Sequence, residues 1–226
     1  MNMNINEALN NMEKDNYVIF DLETTGLSTD EDCIVEISAI KVKEGIVAEE
    51  FSTLVNPGVH IPYAASSING ITDDMIKDAP DTEHALAMFM GYIGDNVLVG
   101  HNIISFDLKF LQRDIGAYFG ETLNNPFIDT LYISREYLPE LERYSLEELA
   151  NFYGISYAGA HRALTDCKIN DQIYRRLIKE SENSSEAAKK VKICPRCGNI
   201  LRKRAGRFDK FLGCLSYPDC KYTRDL

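Results

Sequence analysis

Asp21-Leu22-Glu23 follows the apolar run Tyr17-Val18-Ile19-Phe20. Alternate residues of a strand share a face, so these two carboxylates stand side by side at the end of a buried strand. Adjacent anions repel, and folding them together is costly unless a cation neutralises them. Hard oxygen donors of this kind suit Mg²⁺ or Mn²⁺. The competing reading is a pair of solvated loop residues, since Gly26 also suits an ordinary turn. Two further segments could complete an acidic site. Gly100-His101-Asn102-Ile103-Ile104-Ser105-Phe106-Asp107 leaves a short strand and carries Asp107 into a helix start. His161-Arg162-Ala163-Leu164-Thr165-Asp166 heads a long helix. Within a helix this His–Asp spacing lets both side chains lean toward its N-terminus, whose positive end favours Asp166 as an anion.

A second constellation lies near the C-terminus. Cys194-Pro195-Arg196-Cys197 is followed by 16 residues, Cys214, five residues and Cys220. This is four-cysteine spacing for a closed, tetrahedral, structural Zn²⁺ site. So short a segment buries little apolar surface, and metal binding would supply its folding energy. Clustered cysteines in a chain without a secretory signal point to metal before disulfides. Cys33 and Cys167 lie far apart in the rest of the chain.

The elements that must position these groups follow from pattern. Residues 1–15 read as a polar lead-in. Tyr17–Asp21, Ile34–Lys43 and Ile46–Val55 read as strands, with Glu44-Gly45 turning the last two. The alternation along Ile34–Lys41 predicts one face more apolar than the other. Pro57 and Pro62 break regular structure. Helices are expected at Asp73–Lys77, Thr82–Ile93, Ser105–Tyr118, Ser145–Tyr153 and Ala163–Lys179, with short strands at 97–99 and Phe127–Asp129. Ser145 is placed to cap its helix, with Glu148 three residues on. Three strands followed by alternating strands and helices predict an α/β layer fold with a mixed sheet. The polar stretch 181–192 reads as a linker, dividing a body at 16–180 from a zinc module at 193–226.

Charge follows the same division. The chain has 226 residues and a net charge of −11, with −19 on residues 1–186 and +8 on 187–226. A basic tail suits contact with a polyanion, because Lys and Arg release counterions when they meet phosphates; a solubilising tail is the plainer alternative. No apolar run approaches membrane-spanning length, and the N-terminus lacks a basic region followed by an apolar one. No membrane association is expected, and a cytoplasmic location is the default.

The three acidic segments, in this order and spacing, resemble the DEDDh group of DnaQ-like 3′–5′ exonucleases over roughly residues 16–180. The resemblance rests on Phe20-Asp21-Leu22-Glu23-Thr24-Thr25-Gly26-Leu27, His101–Asp107 and His161–Asp166. It implies an RNase H-like fold. It also implies two Mg²⁺ or Mn²⁺ ions held by Asp21, Glu23, Asp107 and Asp166. His161 would be the general base, and an ordinary imidazole pKa near ~6.5 suits that role. Paired ions would stabilise the attacking and leaving oxygens of a phosphodiester. The implied substrate contacts are Thr24, Thr25, Leu27, Asn102 and Phe106, with Leu27 a wedge beside the last base and Phe106 a stacking surface. Core packing is the alternative for Leu27 and Phe106. Arg162 stands where the tyrosine subtype would carry its tyrosine. His101 is expected to orient its loop, and His60 and His84 to be surface residues. One departure is Asn69-Gly70-Ile71-Thr72, where family members often have His-Gly-Ile-Thr; Asn can supply the same turn hydrogen bond.

The tail resembles the C-terminal zinc fingers of bacterial type I topoisomerases in Cys-Pro-x-Cys-Gly, Gly206-Arg207-Phe208, Phe211-Leu212-Gly213-Cys214 and Tyr217-Pro218-x-Cys220. Those fingers bind single-stranded DNA. Phe208, Phe211, Tyr217 and Tyr222 are interleaved with Arg202, Lys203, Arg204, Arg207, Lys210 and Lys221. That mixture suits base stacking and phosphate contact; a knob that packs on a protein partner is the alternative. The reading is therefore a metal-dependent 3′–5′ exonuclease acting on single-stranded 3′ ends, DNA before RNA. An exoribonuclease and a non-catalytic strand-binding protein are the competing functions. No polymerase-binding segment is recognisable, and association with a polymerase stays open.

Overall fold

The computed structural model describes residues 15–139, 141–183, 194–196, 201–206, 210–214, 217 and 220–225. Most of the expected lead-in, most of the linker, and Cys197, Arg207, Phe208 and Pro218 fall outside the described residues.

A five-stranded mixed sheet forms the body. Its strands are β1 (Tyr17–Thr24), β2 (Ile34–Lys43), β3 (Ile46–Leu54), β4 (Leu98–Gly100) and β5 (Phe127–Asp129), in the order β3-β2-β1-β4-β5. β1 pairs antiparallel with β2 and parallel with β4, so it is the central strand and its C-terminal end opens beside the β4 exit loop. Alternation along β1 sends Tyr17 and Ile19 into one core and Val18, Phe20 and Leu22 into the other. The first core is covered by α5 (Thr130–Tyr137), α6 (Leu146–Tyr153) and α7 (Ala163–Asn183). The second is covered by α3 (Thr82–Ile93) and α4 (Asp107–Phe119). Two short helices, α1 (Tyr63–Asn69) and α2 (Asp73–Ile76), precede α3. The layered α/β fold is as expected.

Several details differ from the sequence reading. β1 continues to Thr24, because the β2 pairing persists through Glu23. β2 is buried on both faces, which puts Glu36 and Ser38 inside the protein. Pro62 does not end regular structure; it occupies the N-cap of α1, where its missing N–H costs no helix bond. α5 is not among the expected helices; its first five residues, Thr130 to Ser134, are all buried, and it starts where the Asp129 carboxylate accepts from Leu131 N–H at 3.0 Å. α4 begins at Asp107, two residues later than expected, and α7 continues through residues assigned to the linker, to Asn183. Ser145 caps α6 as expected, accepting from Glu148 N–H at 3.2 Å.

The C-terminal segment forms a separate antiparallel sheet of β6 (Leu201–Ala205), β7 (Lys210–Cys214) and β8 (Thr223–Asp225). Leu201, Leu212 and three buried cysteines make its small core.

Candidate active site and zinc centre

Asp21 and Glu23 project from the end of β1 on the side covered by α7. Asp166, in the first turn of α7, meets them there: one carboxylate oxygen from each of the three lies within 4.8 Å of the others. Asp166 Oδ1 is buried and has no hydrogen-bond partner. Burial raises every acid of the group, and the charges of neighbouring carboxylates add to it. Asp21 is pushed well above the usual carboxylate range by burial, then by Asp107, Asp166 and Glu23. Glu23 rises to about 8 through burial and the charges of Asp166 and Glu36, while a hydrogen bond from Asn69 opposes the shift. Asp166 rises to about 6, chiefly by burial. Converging acids with raised pKa values and an orphaned buried oxygen fit a divalent cation.

Asp107 arrives from the other side of β1. It opens α4, and its Oδ1 accepts the backbone N–H of Leu22 at 3.2 Å. It does not belong to the tight group of three, but burial raises its pKa and its charge acts on Asp21 and Glu23. The loop before it is held by Asp129, a fully buried carboxylate accepting from Asn102 N–H at 2.8 Å and Ile104 N–H at 3.0 Å. This brace allows Asn102 its left-handed φ of 63°. His101 orients the same loop through Nδ1 and the Thr130 hydroxyl, 3.0 Å apart.

His161 is not in the helix. It lies two residues before α7 with φ 64°, and its backbone N–H donates to Asp166 Oδ2 at 3.0 Å. Its ring is exposed and stands edge-on to Tyr157, centroids 6.1 Å apart. The left-handed residue turns the chain so that His161 and Asp166 share one end of the helix without sharing its periodicity.

Among the expected substrate contacts, Leu27 is 85% exposed, which rules out core packing for it. Phe106 is half-buried, edge-on to Phe110 at 5.0 Å, and borders the second core. Thr24 and Thr25 are buried, and their hydroxyls are committed to the loop: Thr24 to the Gly26 carbonyl at 2.7 Å, Thr25 to Asp32 at 3.0 Å. A Cβ at Gly26 would lie 2.4 Å from Asp32 Oδ2, so a larger residue there would push the Asp32 carboxylate away from the Thr25 hydroxyl and Ser28 N–H it accepts from. His60 and His84 are exposed and pair with Asp73 and Asp81.

Two neighbours, Glu36 and Asp129, are not among the expected site residues; Asn69, expected to supply a turn hydrogen bond, does so and also hydrogen-bonds Glu23. Asn69 is buried at the end of α1, accepting from Ile71 N–H at 2.9 Å and donating to the Thr24 carbonyl at 3.4 Å. The charge of Glu36 inside a strand core, directly across from Glu23 in the β1–β2 register, is the signal that could have singled it out.

In the C-terminal sheet, Cys194, Cys214 and Cys220 are buried with sulfurs within 4.8 Å of one another. The Cys194 and Cys220 sulfurs are 3.7 Å apart. Three convergent thiols at non-bonding distance fit a soft metal such as Zn²⁺. Beside them is a hollow of about 280 Å³ lined by Arg204, Phe211, Tyr217, Lys221 and Tyr222. The Arg204 guanidinium lies over the Tyr217 ring, 5.7 Å from its centroid.

The sequence matches the family described as Exonuclease over residues 18–174. It matches the family described as Topoisomerase DNA binding C4 zinc finger over residues 191–226. The DNA polymerase III subunit epsilon of Aquifex aeolicus is 37% identical over 73% of this chain and 81% of that protein. The PolC-type DNA polymerase III of Clostridium perfringens is 38% identical over 76% of this chain, which spans only 12% of that protein. Among solved structures, Exonuclease X in complex with 5′ overhanging duplex DNA superposes with a TM-score of 0.61 at 27% identity, over 77% of this chain and 99% of that one. Escherichia coli Exonuclease I with a dA16 oligonucleotide shares the fold at a TM-score of 0.65 and 18% identity, over 91% of this chain and 53% of that one.

Proposed function

The chain belongs to the exonuclease family, and from that premise we propose that it removes nucleotides from single-stranded DNA 3′ ends using Asp21, Glu23, Asp107, Asp166 and His161. It is a DnaQ-like 3′–5′ exonuclease, and metal dependence is a property of the family. The observation that carries the site assignment is the meeting of Asp21, Glu23 and Asp166 within 4.8 Å around an unpartnered Asp166 oxygen.

Asp21, Glu23, Asp107 and Asp166 would hold two Mg²⁺ or Mn²⁺ ions, which when bound stabilise the charge that develops at a phosphodiester. His161, exposed at the rim, accepts the proton of the attacking water. The Asp166 carboxylate fixes the His161 backbone, so the base and the acidic cluster keep one geometry. Leu27, with its side chain in solvent, is placed to wedge against the terminal base. Phe106 offers a ring edge, and the Thr24–Thr25 loop and Asn102 present main-chain groups to the strand.

DNA is preferred because the zinc-finger family is described as DNA-binding and the Exonuclease X structure holds DNA. A Zn²⁺ on Cys194, Cys197, Cys214 and Cys220 would organise the C-terminal module. Its Arg204–Tyr217 hollow would take a base or sugar-phosphate segment. We place the body at 16–180, the linker at 181–192 and the zinc module at 193–226, in a cytoplasmic protein. No described helix is long and apolar enough to cross a membrane. Relatives named as polymerase III proteins motivate a proofreading setting, which co-purification with a polymerase would test. Initial rates on matched 3′-labelled DNA and RNA strands test the substrate assignment. Faster DNA digestion is expected, and equal or faster RNA digestion would contradict it.

A further inference from the structure

We propose that Glu36 is a positioning residue for cleavage: with Arg162 it clamps the three-residue segment that carries His161 to the sheet beside Glu23. The proposal rests on the assignment of His161 as the base.

Glu36 lies in β2, opposite Glu23. Its side chain is 2% exposed, and it is a fifth acid next to four that already repel one another. Its charge raises Asp21, Glu23 and Asp166. A strand interior serving only stability would favour an apolar side chain here, since buried ion pairs contribute little net stability. What Glu36 does instead is bind three donors of one short segment. Arg162 Nη2 donates at 2.8 Å and Nε at 3.3 Å, and the backbone N–H of Ala163, the first residue of α7, donates at 3.1 Å.

The segment needs holding. His161 has a left-handed backbone that a non-glycine residue adopts at a cost, and its ring is in solvent. His161 N–H is fastened to Asp166, Arg162 and Ala163 are fastened to Glu36, and so all three consecutive residues are tied to carboxylates. Glu36 also sets a carboxylate on the first backbone N–H of α7, where the helix end favours an anion. The result joins the His161 segment to the strand that registers with Glu23. The position of the base is thereby tied to the position of the metal-binding acids. Glu36 itself lies outside the tight oxygen group of Asp21, Glu23 and Asp166. The Arg162 side chain is 46% exposed, so a direct contact of Arg162 with the strand is the outcome the test must separate.

The test is a double-mutant cycle in steady-state digestion of a 3′-labelled single strand, with wild type, Glu36→Gln, His161→Ala and the double variant. Glu36→Gln is expected to lower kcat by about 10–100-fold with KM changed less than about twofold, as for other residues that orient a reacting group. In the His161→Ala background the same substitution should change kcat by less than about threefold, because it acts through His161. Rates are compared at saturating Mn²⁺, because the lost Glu36 charge also acts on Asp21, Glu23 and Asp166, and any shift in the Mn²⁺ requirement should be the same in the wild-type and His161→Ala backgrounds. If Glu36→Gln does not fold by thermal melting, Arg162→Gln replaces it, with a smaller loss of the same kind expected. Additive losses in the cycle at saturating Mn²⁺, or a raised KM with unchanged kcat, would each overturn the clamp. No digestion by wild type would instead overturn the cleavage reading beneath it.

Discussion

Asp107 Oδ1 accepts the backbone N–H of Leu22, the residue between Asp21 and Glu23, at 3.2 Å. One hydrogen bond thus ties the start of α4 to the strand that carries the first two acids. The bond needs an acceptor but not a charge. Asp107→Asn keeps an oxygen for Leu22 and removes the anion. We therefore expect a folded variant whose kcat falls at least about 100-fold while KM moves little. Steady-state kinetics with a melting curve checks this, and a kcat within threefold of wild type would contradict it.

Divalent metal should stabilise the protein in a pH-dependent way. Glu23 is raised to about 8 in the folded chain, so between its unfolded value near ~4.5 and pH 8 the folded state holds a proton that the unfolded state has lost. Without metal, that contribution to stability is complete below about pH 4.5 and disappears as pH rises through 8. A cation replaces the proton, so the rise in Tm on adding Mn²⁺ should be larger at pH 8 than at pH 6. Thermal melts at both pH values, with Mn²⁺ or chelator, decide it; an equal increment at both would contradict the expectation.

His101 runs the opposite way. Burial, partly opposed by a hydrogen bond involving Tyr144, lowers its pKa to about 4. Its contribution is intact above the unfolded value near ~6.5 and is lost as pH falls toward 4, a change on the order of 3 kcal/mol. At constant metal, wild type should lose more stability from pH 7 to 5 than His101→Gln does. Parallel stability curves would contradict that.

Removing zinc should act on the C-terminal module alone. With Cys194, Cys214 and Cys220 converging, the chain is expected to carry one Zn²⁺, and Cys194→Ser should abolish it. Loss of the ion should weaken binding to a long single strand more than it slows cleavage of a short one. Elemental analysis and digestion of long and short strands test both parts. A zinc-free wild-type protein, or equal effects on both lengths, would contradict them.

The layered fold and the acidic segments are legible because they rest on local signals: an apolar run in β1, amphipathic period in α7, and carboxylates at fixed short spacings. What stayed hidden depends on contacts across the fold. Glu36 looked like the polar residue of a one-sided strand, and only the covering of both faces of β2 makes it a buried acid. Asp129 ended a short strand with nothing to mark that three backbone N–H groups from two segments converge on it. His161 looks helical by spacing, because spacing alone does not reveal a left-handed residue just before a helix. α1 was masked by Pro62, which breaks helices in their interiors and starts them at their ends.

The most direct test of the central claim is digestion of a 5′-labelled single-stranded DNA by wild type and Asp21→Asn, in Mg²⁺, Mn²⁺ and chelator. The account predicts a ladder of labelled products shortening from the 3′ end in wild type with metal, and an intact strand with chelator or with Asp21→Asn. Equal digestion by the two proteins, or release of the 5′ label as the first product, would contradict it.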